Sequence, residues 1–374
     1  MSVPVVKFNK QDRPDFYRVL RERVNQYFED NHISRHANFN MKFKTVFMIF
    51  LYTTPLVLML TGVVNSLWPV MAMWAIMGVG MSGIGLSIMH DANHGAYSSN
   101  PKVNQALGYI LNFLGGYHVN WKIQHNVLHH SFTNVHGYDE DIGNTAFRFS
   151  PDVPQRPMYR YQVFYAPFLY GLMGIDWLLT KDFIRLGRYE KMDLLKDQGL
   201  TYGKAMAQII FNKTWYVALT LALPMLVVDL PWWQTLLGFL LMQFICGLIL
   251  AFIFQSAHVL EATEFYHTDE SGCVENSWAI HQLRTTANFA NNSTLFSWFI
   301  GGLNYQIEHH LFPNVCHVHY PKLSKIVKAT AAEYNLPYYQ YKTFLGALKS
   351  HFVVLNQLGT GTYDRKLAGT VSLN

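Results

Sequence analysis

Seventeen histidines occur in this 374-residue chain, and eight of them stand at spacings that suit metal binding. His90 and His94 (HDANH) are four residues apart, so on a helix they share one face and can hold one metal or bridge toward two. His125, His129 and His130 (HNVLHH) repeat the pair and add a neighbour. His309 and His310 (QIEHH) form a third group, with Gln306 one turn earlier, and His258 comes from a fourth place in the chain. Read alone, His258 would be a satisfied interfacial histidine. Eight imidazoles in four groups are not eight accidents, and since a tetrahedral site takes about four ligands, they suggest two metals. Imidazole suits iron, copper, nickel or zinc, and ligand type alone does not choose among them.

A metal-bound imidazole usually donates its other N–H to a carboxylate or carbonyl, which makes Asp91, Asp139, Asp141 and Glu308 natural partners. Glu140 reads as part of a solvated loop, and Gln306 can face the metal directly or act through another ligand. The other histidines read as structural. His32 and His36 lie in a charged linker, His317 and His319 flank Val318, and His118, His136, His267, His281 and His351 are isolated.

These groups need a scaffold, and the charge distribution supplies one. Half of the residues are hydrophobic and only 14% charged, against about 25% for soluble domains. Thr45 to His90 contains no Asp, Glu, Lys or Arg, and Thr214 to Leu260 contains only Asp229. Each block is about 69 Å long as helix, enough for two crossings of a ~30 Å hydrocarbon core. The expected spans are Phe43 to Val64, Leu67 to His90, Phe211 to Val228 and Trp232 to His258, with Trp68, Trp74, Trp215, Tyr216, Trp232 and Trp233 as interfacial belts. All 29 Lys and Arg lie outside the two blocks, and the hairpin turns near Asn65 to Pro69 and Asp229 to Pro231 have none. The positive-inside rule places both termini and the middle segment in the cytoplasm. Spans two and four then end on that face, where His90 and His258 emerge. The fold expected is an all-α integral membrane protein, four transmembrane helices in two hairpins, with a cytoplasmic helical cap holding a histidine-rich dimetal site.

The rest of the chain fits this plan. Residues 1–42 form a cytoplasmic N-terminal segment without a cleavable signal, in which Asp12 to Asp30 reads as an amphipathic surface helix carrying Phe16, Leu20, Val24 and Phe28. Ala106 to Tyr117 and Val163 to Leu179 are apolar but short or interrupted, and read as interfacial or re-entrant helices. Residues 43–336 form the catalytic domain, and 337–374 a C-terminal helix and loose tail, with Pro337 separating two amphipathic helices. Gly78 to Gly83 matches GxGxxG, but it lies inside a span with no preceding strand, so close helix approach explains it and no dinucleotide is assigned. Cys246, Cys273 and Cys316 make no CxxC pair. A net charge of +5 leaves no nucleic-acid footprint.

HDANH, HNVLHHSFTN and NYQIEHHLFPNV resemble the three histidine boxes of the membrane fatty acid desaturases, in order, spacing and position relative to the spans, over about Thr45 to Leu336. The resemblance implies a di-iron centre on the cytoplasmic face that uses O2 and two electrons to desaturate an acyl chain. It implies His90, His94, His125, His129, His130, His258, His309 and His310 as iron ligands. Gln306 in place of a first histidine looks like the front-end type, which acts between an existing double bond and the carboxyl end. With no HPGG haem motif in the chain, the implied donor is a separate ferredoxin or cytochrome b5, an arrangement similar to bacterial acyl-CoA or acyl-lipid members in the cytoplasmic membrane. Such chemistry fits the residues, because an unactivated methylene has no acidic hydrogen for a general base to take. Trp121, Trp278, Trp298 and Tyr305 flank the boxes and are candidate linings of an acyl tunnel. Lys122, Arg148, Arg156, Arg185 and Arg188 are candidates for a CoA or lipid phosphate, although the positive-inside bias accounts for them equally.

A di-iron hydroxylase of a lipid, alkane or carotenoid shares the hydrogen-abstraction step and is the main rival. A bis-histidine b-type cytochrome would place histidines at helix ends without catalysis. A metalloprotease is disfavoured by the lack of HExxH, and a metal transporter by clusters gathered at one membrane face.

Overall fold

The computed structural model describes residues 6–143 and 145–365. Four helices are long and apolar enough to cross a membrane: Phe39–Leu60, Leu67–Asn93, Tyr202–Val227 and Trp232–His258. The third starts at Tyr202 instead of the expected Phe211, capped by the Thr201 hydroxyl, and within it Lys213 is buried and paired with Asp182 at 2.8 Å. Its ammonium also donates to the carbonyls of Gly115 and Trp177. A buried cation is tolerated in a span when its donors are met in this way.

The chain divides into two compact units. The first comprises residues 36–123 and 168–251 and contains the first three spans and most of the fourth. The glycines of the second span explain its packing. A Cβ at Gly80 would lie 2.8 Å from the Tyr52 nitrogen on the first span, and one at Gly78 would lie 2.7 Å from the Met242 carbonyl on the fourth. The GxGxxG run is thus a contact stripe, as its place in a span required. In the second hairpin, Gln243 donates to the Tyr216 hydroxyl. Trp68, Trp232 and Trp233 are exposed, as belt residues should be, whereas Trp74 and Tyr216 are buried inside the bundle. Their expected interfacial role does not hold: both sit on the inward faces of their helices.

The apolar stretch after the first box forms Pro101–Gly108 and a 3-10 turn, Tyr109–Leu114. It stops at Gly115, whose φ of +84° favours glycine. The second interrupted stretch is a helix pair, Pro157–Gly171 and Met173–Lys191, bent by 59°. The fourth span requires glycine where this pair meets it, since a Cβ at Gly247 would sit 2.6 Å from the Gly171 carbonyl.

The second unit comprises, among the described residues, 6–35, 124–143, 145–167 and 252–365. Helix Asp15–Asp30 buries Phe16, Leu20, Val24 and Phe28, one stripe at four-residue spacing, in a core with Leu323, Val327 and Ala331 of helix Tyr320–Glu333. The amphipathic face thus packs on protein. Shorter helices, Trp278–Thr285 and Gln306–Leu311, carry site residues. Two pairs of two-residue parallel strands, Lys7–Phe8 with Cys273–Val274 and Asn288–Phe289 with Gln340–Tyr341, tie distant segments without changing the all-α class. Pro337 separates Tyr320–Glu333 from Phe344–Thr360 as expected. The loose tail falls mostly outside the described residues.

Candidate metal centre

The second box is built on an unusual local structure. Ile123–His129 is a π-helical segment, continued by His130–Phe132. Hydrogen bonds in a π turn run i→i+5, so residues five apart share a face as well as residues four apart. His125 therefore meets both of its partners, with ring centroids 5.4 Å from His129 and 4.7 Å from His130. The Nε2 atoms of His125 and His130 are 3.2 Å apart. A second π segment, Ile84–Met89, directly precedes His90 in the other unit.

Within the second unit, ring nitrogens of His129, His258 and His310 all lie within 4.8 Å of one another, a group that could hold a metal ion. Each ring is held from behind through Nδ1. His129 faces both carboxylate oxygens of Asp139 at 3.2 Å and Asp141 at 3.4 Å. His258 donates to the Thr285 carbonyl at 3.2 Å, and His310 to Gln282 Oε1 at 2.8 Å. A carbonyl or carboxylate can only accept, so Nδ1 carries the proton and the lone pair lies on Nε2. The Nε2 atoms of all three are buried without a hydrogen-bond partner. Three convergent lone pairs, each oriented through the opposite nitrogen, fit a metal ion.

A second grouping, His130, His309 and His310, also brings ligand atoms within 4.8 Å of one another. His309 stacks on His125 with centroids 5.8 Å apart, and its Nδ1 lies 3.3 Å from the Tyr320 hydroxyl. Six of the eight candidate histidines are thus gathered in one unit. His90 and His94, in the other, have ring centroids 4.8 Å apart, and both pack edge-on to Trp121. His90 Nδ1 is 3.9 Å from Asp91.

The electrostatics keep His310 neutral and place anionic support behind His129. Burial and the neighbouring imidazoles hold His310 well below the usual histidine range. Burial opposes charge on His129 as well, yet the Asp139 carboxylate outweighs it and raises the pKa. Asp139 is itself held low: burial works against its charge, but His129 and the backbone N–H groups of Asn134 and Asp141 outweigh it.

The candidate carboxylates differ in placement. Asp139 and Asp141 meet His129, while Gln124 donates to Asp141. Glu140 is buried, contrary to the solvated loop expected for it. Glu308 meets no box histidine; it accepts from Asn288 at 2.8 Å and Tyr338 at 3.0 Å, and burial pushes its carboxyl up to about 7. Consecutive helical side chains diverge by roughly 100°, so a neighbour of His309 faces away from it. Gln306 is buried, donates to the Leu303 carbonyl and lies beside the His258 imidazole.

Among the aromatic candidates, Trp278 donates from its indole to the His130 carbonyl, Tyr305 donates to the Asn291 carbonyl, and Trp298 is half-buried. Arg148 is not available to a phosphate, because its guanidinium binds the carbonyls of Pro151, Val153 and Leu358 and the Asp364 carboxylate. Residues overlooked in the sequence are Gln282, Thr285 and Tyr320, and also Thr133, which lies 3.3 Å from His310 Nδ1, and Asn134, which donates to the His258 carbonyl. Thr133 and Asn134 close the HNVLHHSFTN run, so a signal existed for them; nothing marked the others.

Comparison with known proteins agrees with this geometry. The family model for fatty acid desaturase matches residues 66–342. An sn-1 linoleoyl-lipid 6-desaturase from Synechocystis is 36% identical, over 95% of this chain and 98% of the relative. A protein of the same name from Arthrospira platensis is 32% identical over 92% of each chain. An acyl-lipid (8-3)-desaturase from Physcomitrium patens is 35% identical over 95% of this chain and 74% of its own length. With a histidine-rich site able to bind metal and four membrane-crossing helices, the chain belongs to the fatty acid desaturase family of membrane oxidoreductases.

Proposed function

We propose that this protein is an O2-dependent front-end desaturase that introduces a cis double bond into an acyl chain carried on a membrane lipid or CoA. The observation that carries the reading is the convergence of three unpartnered Nε2 atoms, from His129, His258 and His310. Together with His90, His94, His125, His130 and His309 they form an eight-histidine set, proposed to hold two irons. The front-end assignment rests on Gln306 and on relatives named as lipid 6- and (8-3)-desaturases. Residues 43–336 are assigned to catalysis, with the termini and site cytoplasmic, in a bacterial cytoplasmic membrane.

Bound iron would supply the O2 activation needed to take hydrogen from an unactivated methylene. The overall change is –CH2–CH2– + O2 + 2 e⁻ + 2 H⁺ → –CH=CH– + 2 H2O, with the electrons supplied by a separate ferredoxin or cytochrome b5. The chain's own residues do the rest. Asp139, Thr285 and Gln282 hold protons at Nδ1 and keep each Nε2 free to ligate. Burial of the other seven histidines, His94 alone being half-buried, excludes bulk water. Trp121, which touches His90 and His94, and Trp278, which touches the His130 backbone, are proposed to border the acyl chain.

The test is expression in a host of defined lipid composition, followed by localisation of double bonds by mass spectrometry. Loss of two hydrogens on the carboxyl side of an existing double bond is expected, while gain of one oxygen would overturn the desaturase reading in favour of a hydroxylase. His309→Ala should abolish the product and leave the protein in the membrane; retained product would remove His309 from the ligand set.

A further inference from the structure

Helix Phe344–Thr360 is fastened to the end of the fourth span. His351 Nδ1 bonds the Val259 carbonyl at 3.0 Å, and the Ser350 hydroxyl accepts from the Glu261 N–H at 3.0 Å. One residue on, the Phe352 ring lies 6.3 Å from that of Phe252, which is within the span, six residues and about 9 Å before its last residue.

Phe352 belongs to a stripe. Leu345, Leu348 and Phe352 stand at i, i+3 and i+7, one side of the helix. Leu348 and Phe352 are half-exposed and Leu345 is 74% exposed. At the start of this helix the Phe344 ring lies 5.2 Å from Phe296 and 5.6 Å from Phe289, which brings the short helix Thr294–Phe299 alongside. That helix carries Leu295, 77% exposed, and the half-exposed Trp298. Lys342 and Lys349, both exposed, border the patch. Isolated exposed leucines need no explanation, but here they extend an apolar stripe that begins on a membrane span.

We propose that Leu295, Trp298, Leu345 and Leu348 form a bilayer-docking surface, seated at the headgroup–acyl boundary of the leaflet in which the fourth span ends. The patch has the composition of such a boundary: aliphatic side chains and a tryptophan, with lysines among them for anionic headgroups. The continuity from Phe252 through Phe352 to Leu345 selects lipid over a soluble protein as the occupant. Docking would fix the depth and tilt of the unit that carries six of the site histidines, relative to a substrate held in the same leaflet. The proposal rests on the chain being a membrane protein and is independent of metal identity or double-bond position.

The test uses the full chain in nanodiscs containing anionic lipid. Nitroxide labels are placed at Leu295→Cys, Leu345→Cys and the exposed control Lys325→Cys, in a Cys273→Ser background, and collision rates with O2 and a water-soluble nickel chelate are measured. The ratio of O2 to nickel collisions at 295 and 345 is expected to be several-fold higher than at 325. A ratio equal to that of the control would overturn the proposal. So would labels that are water-accessible alone and become protected only when ferredoxin or cytochrome b5 is added, since that outcome assigns the face to the electron donor.

Discussion

Replacing Gln282 with leucine would separate the support of a metal ligand from the ligand itself. Gln282 is fully buried, and its Oε1 accepts from His310 Nδ1 at 2.8 Å while its Nε2 donates to the His130 carbonyl at 3.3 Å. Leucine keeps the bulk and removes both bonds, together with the 3.1 Å contact of the Thr133 hydroxyl to Oε1. The His130 carbonyl stays satisfied, because Trp278 also donates to it. His310 Nδ1 is left with the Thr133 hydroxyl at 3.3 Å, a longer contact with a group that already bonds the His129 carbonyl. The net loss is about one buried hydrogen bond, roughly 1–3 kcal/mol, and removal of such a supporting partner typically lowers metal affinity ~10–100-fold. The imidazole would also be free to move its proton to Nε2 and turn the lone pair away from His129 and His258. The assay is iron bound per protein across a series of chelator concentrations, read with the electronic spectrum of the metal. Gln282→Leu should release iron at ~10–100-fold weaker chelation, and Gln282→Glu, which restores the acceptor, should recover most of the loss. If Gln282→Leu holds iron as tightly as the parent with an unchanged spectrum, while His310→Ala does not, the hydrogen bond does not position His310. If His310→Ala also retains its iron, the ligand assignment itself is wrong.

Two further outcomes follow from packing and burial. Gly80→Ala places a methyl 2.8 Å from the Tyr52 nitrogen and should lower the thermal midpoint through about 1–3 kcal/mol of overpacking, whereas Gly85→Ala, with nothing nearer than 3.6 Å, should be tolerated; equal effects would argue against close approach of the first two spans. His351 is buried and held at about 4, chiefly by burial and with partial relief from the Val259 carbonyl, so between pH 6.5 and 4 the unfolded chain binds a proton that the folded chain does not. Stability should therefore fall on acidification across that window by about 1.4 kcal/mol per pH unit from this residue, and His351→Asn should flatten the slope of thermal midpoint against pH. An unchanged slope would mean that His351 is protonated inside the fold.

The gathering of the histidines was legible because imidazoles at four-residue spacing have few structural explanations, and the spans because their charge-free blocks are long. The supports were less legible, for physical reasons. Gln282 and Thr285 bear no mark of their role: a carboxamide and a backbone carbonyl become partners only when helix Trp278–Thr285 is laid against the boxes. Adjacency misled for Glu308, whose helix turns it toward Asn288 and Tyr338. It served for Asp139, which reaches His129 across a loop. The π segment at Ile123–His129 was invisible to a reading in α-helical turns, and it is what lets His125 face His129 and His130 together. The third span was misjudged at its start because its first turns, capped by Thr201, are polar and carry Lys204, so the apolar pattern marked only the later part of the helix.

The same features explain why the site is costly to the fold. Three buried Nε2 atoms without a hydrogen-bond partner oppose folding, each by about 1–3 kcal/mol. A site evolved only for stability would let each ring turn and bond through either nitrogen. Here that escape is closed: His258 is tied by a backbone carbonyl that can only accept, His129 by a carboxylate that the Asn134 and Asp141 backbone N–H groups hold in place, and His310 by a carboxamide that the His130 carbonyl orients. The supports therefore fix the tautomer that leaves the site unsatisfied, and only a ligand that accepts three lone pairs at once relieves it. A metal cation is such a ligand; burial keeps His310 neutral for it, and the carboxylates of Asp139 and Asp141 sit behind His129 at Nδ1, where they raise the basicity of the ring.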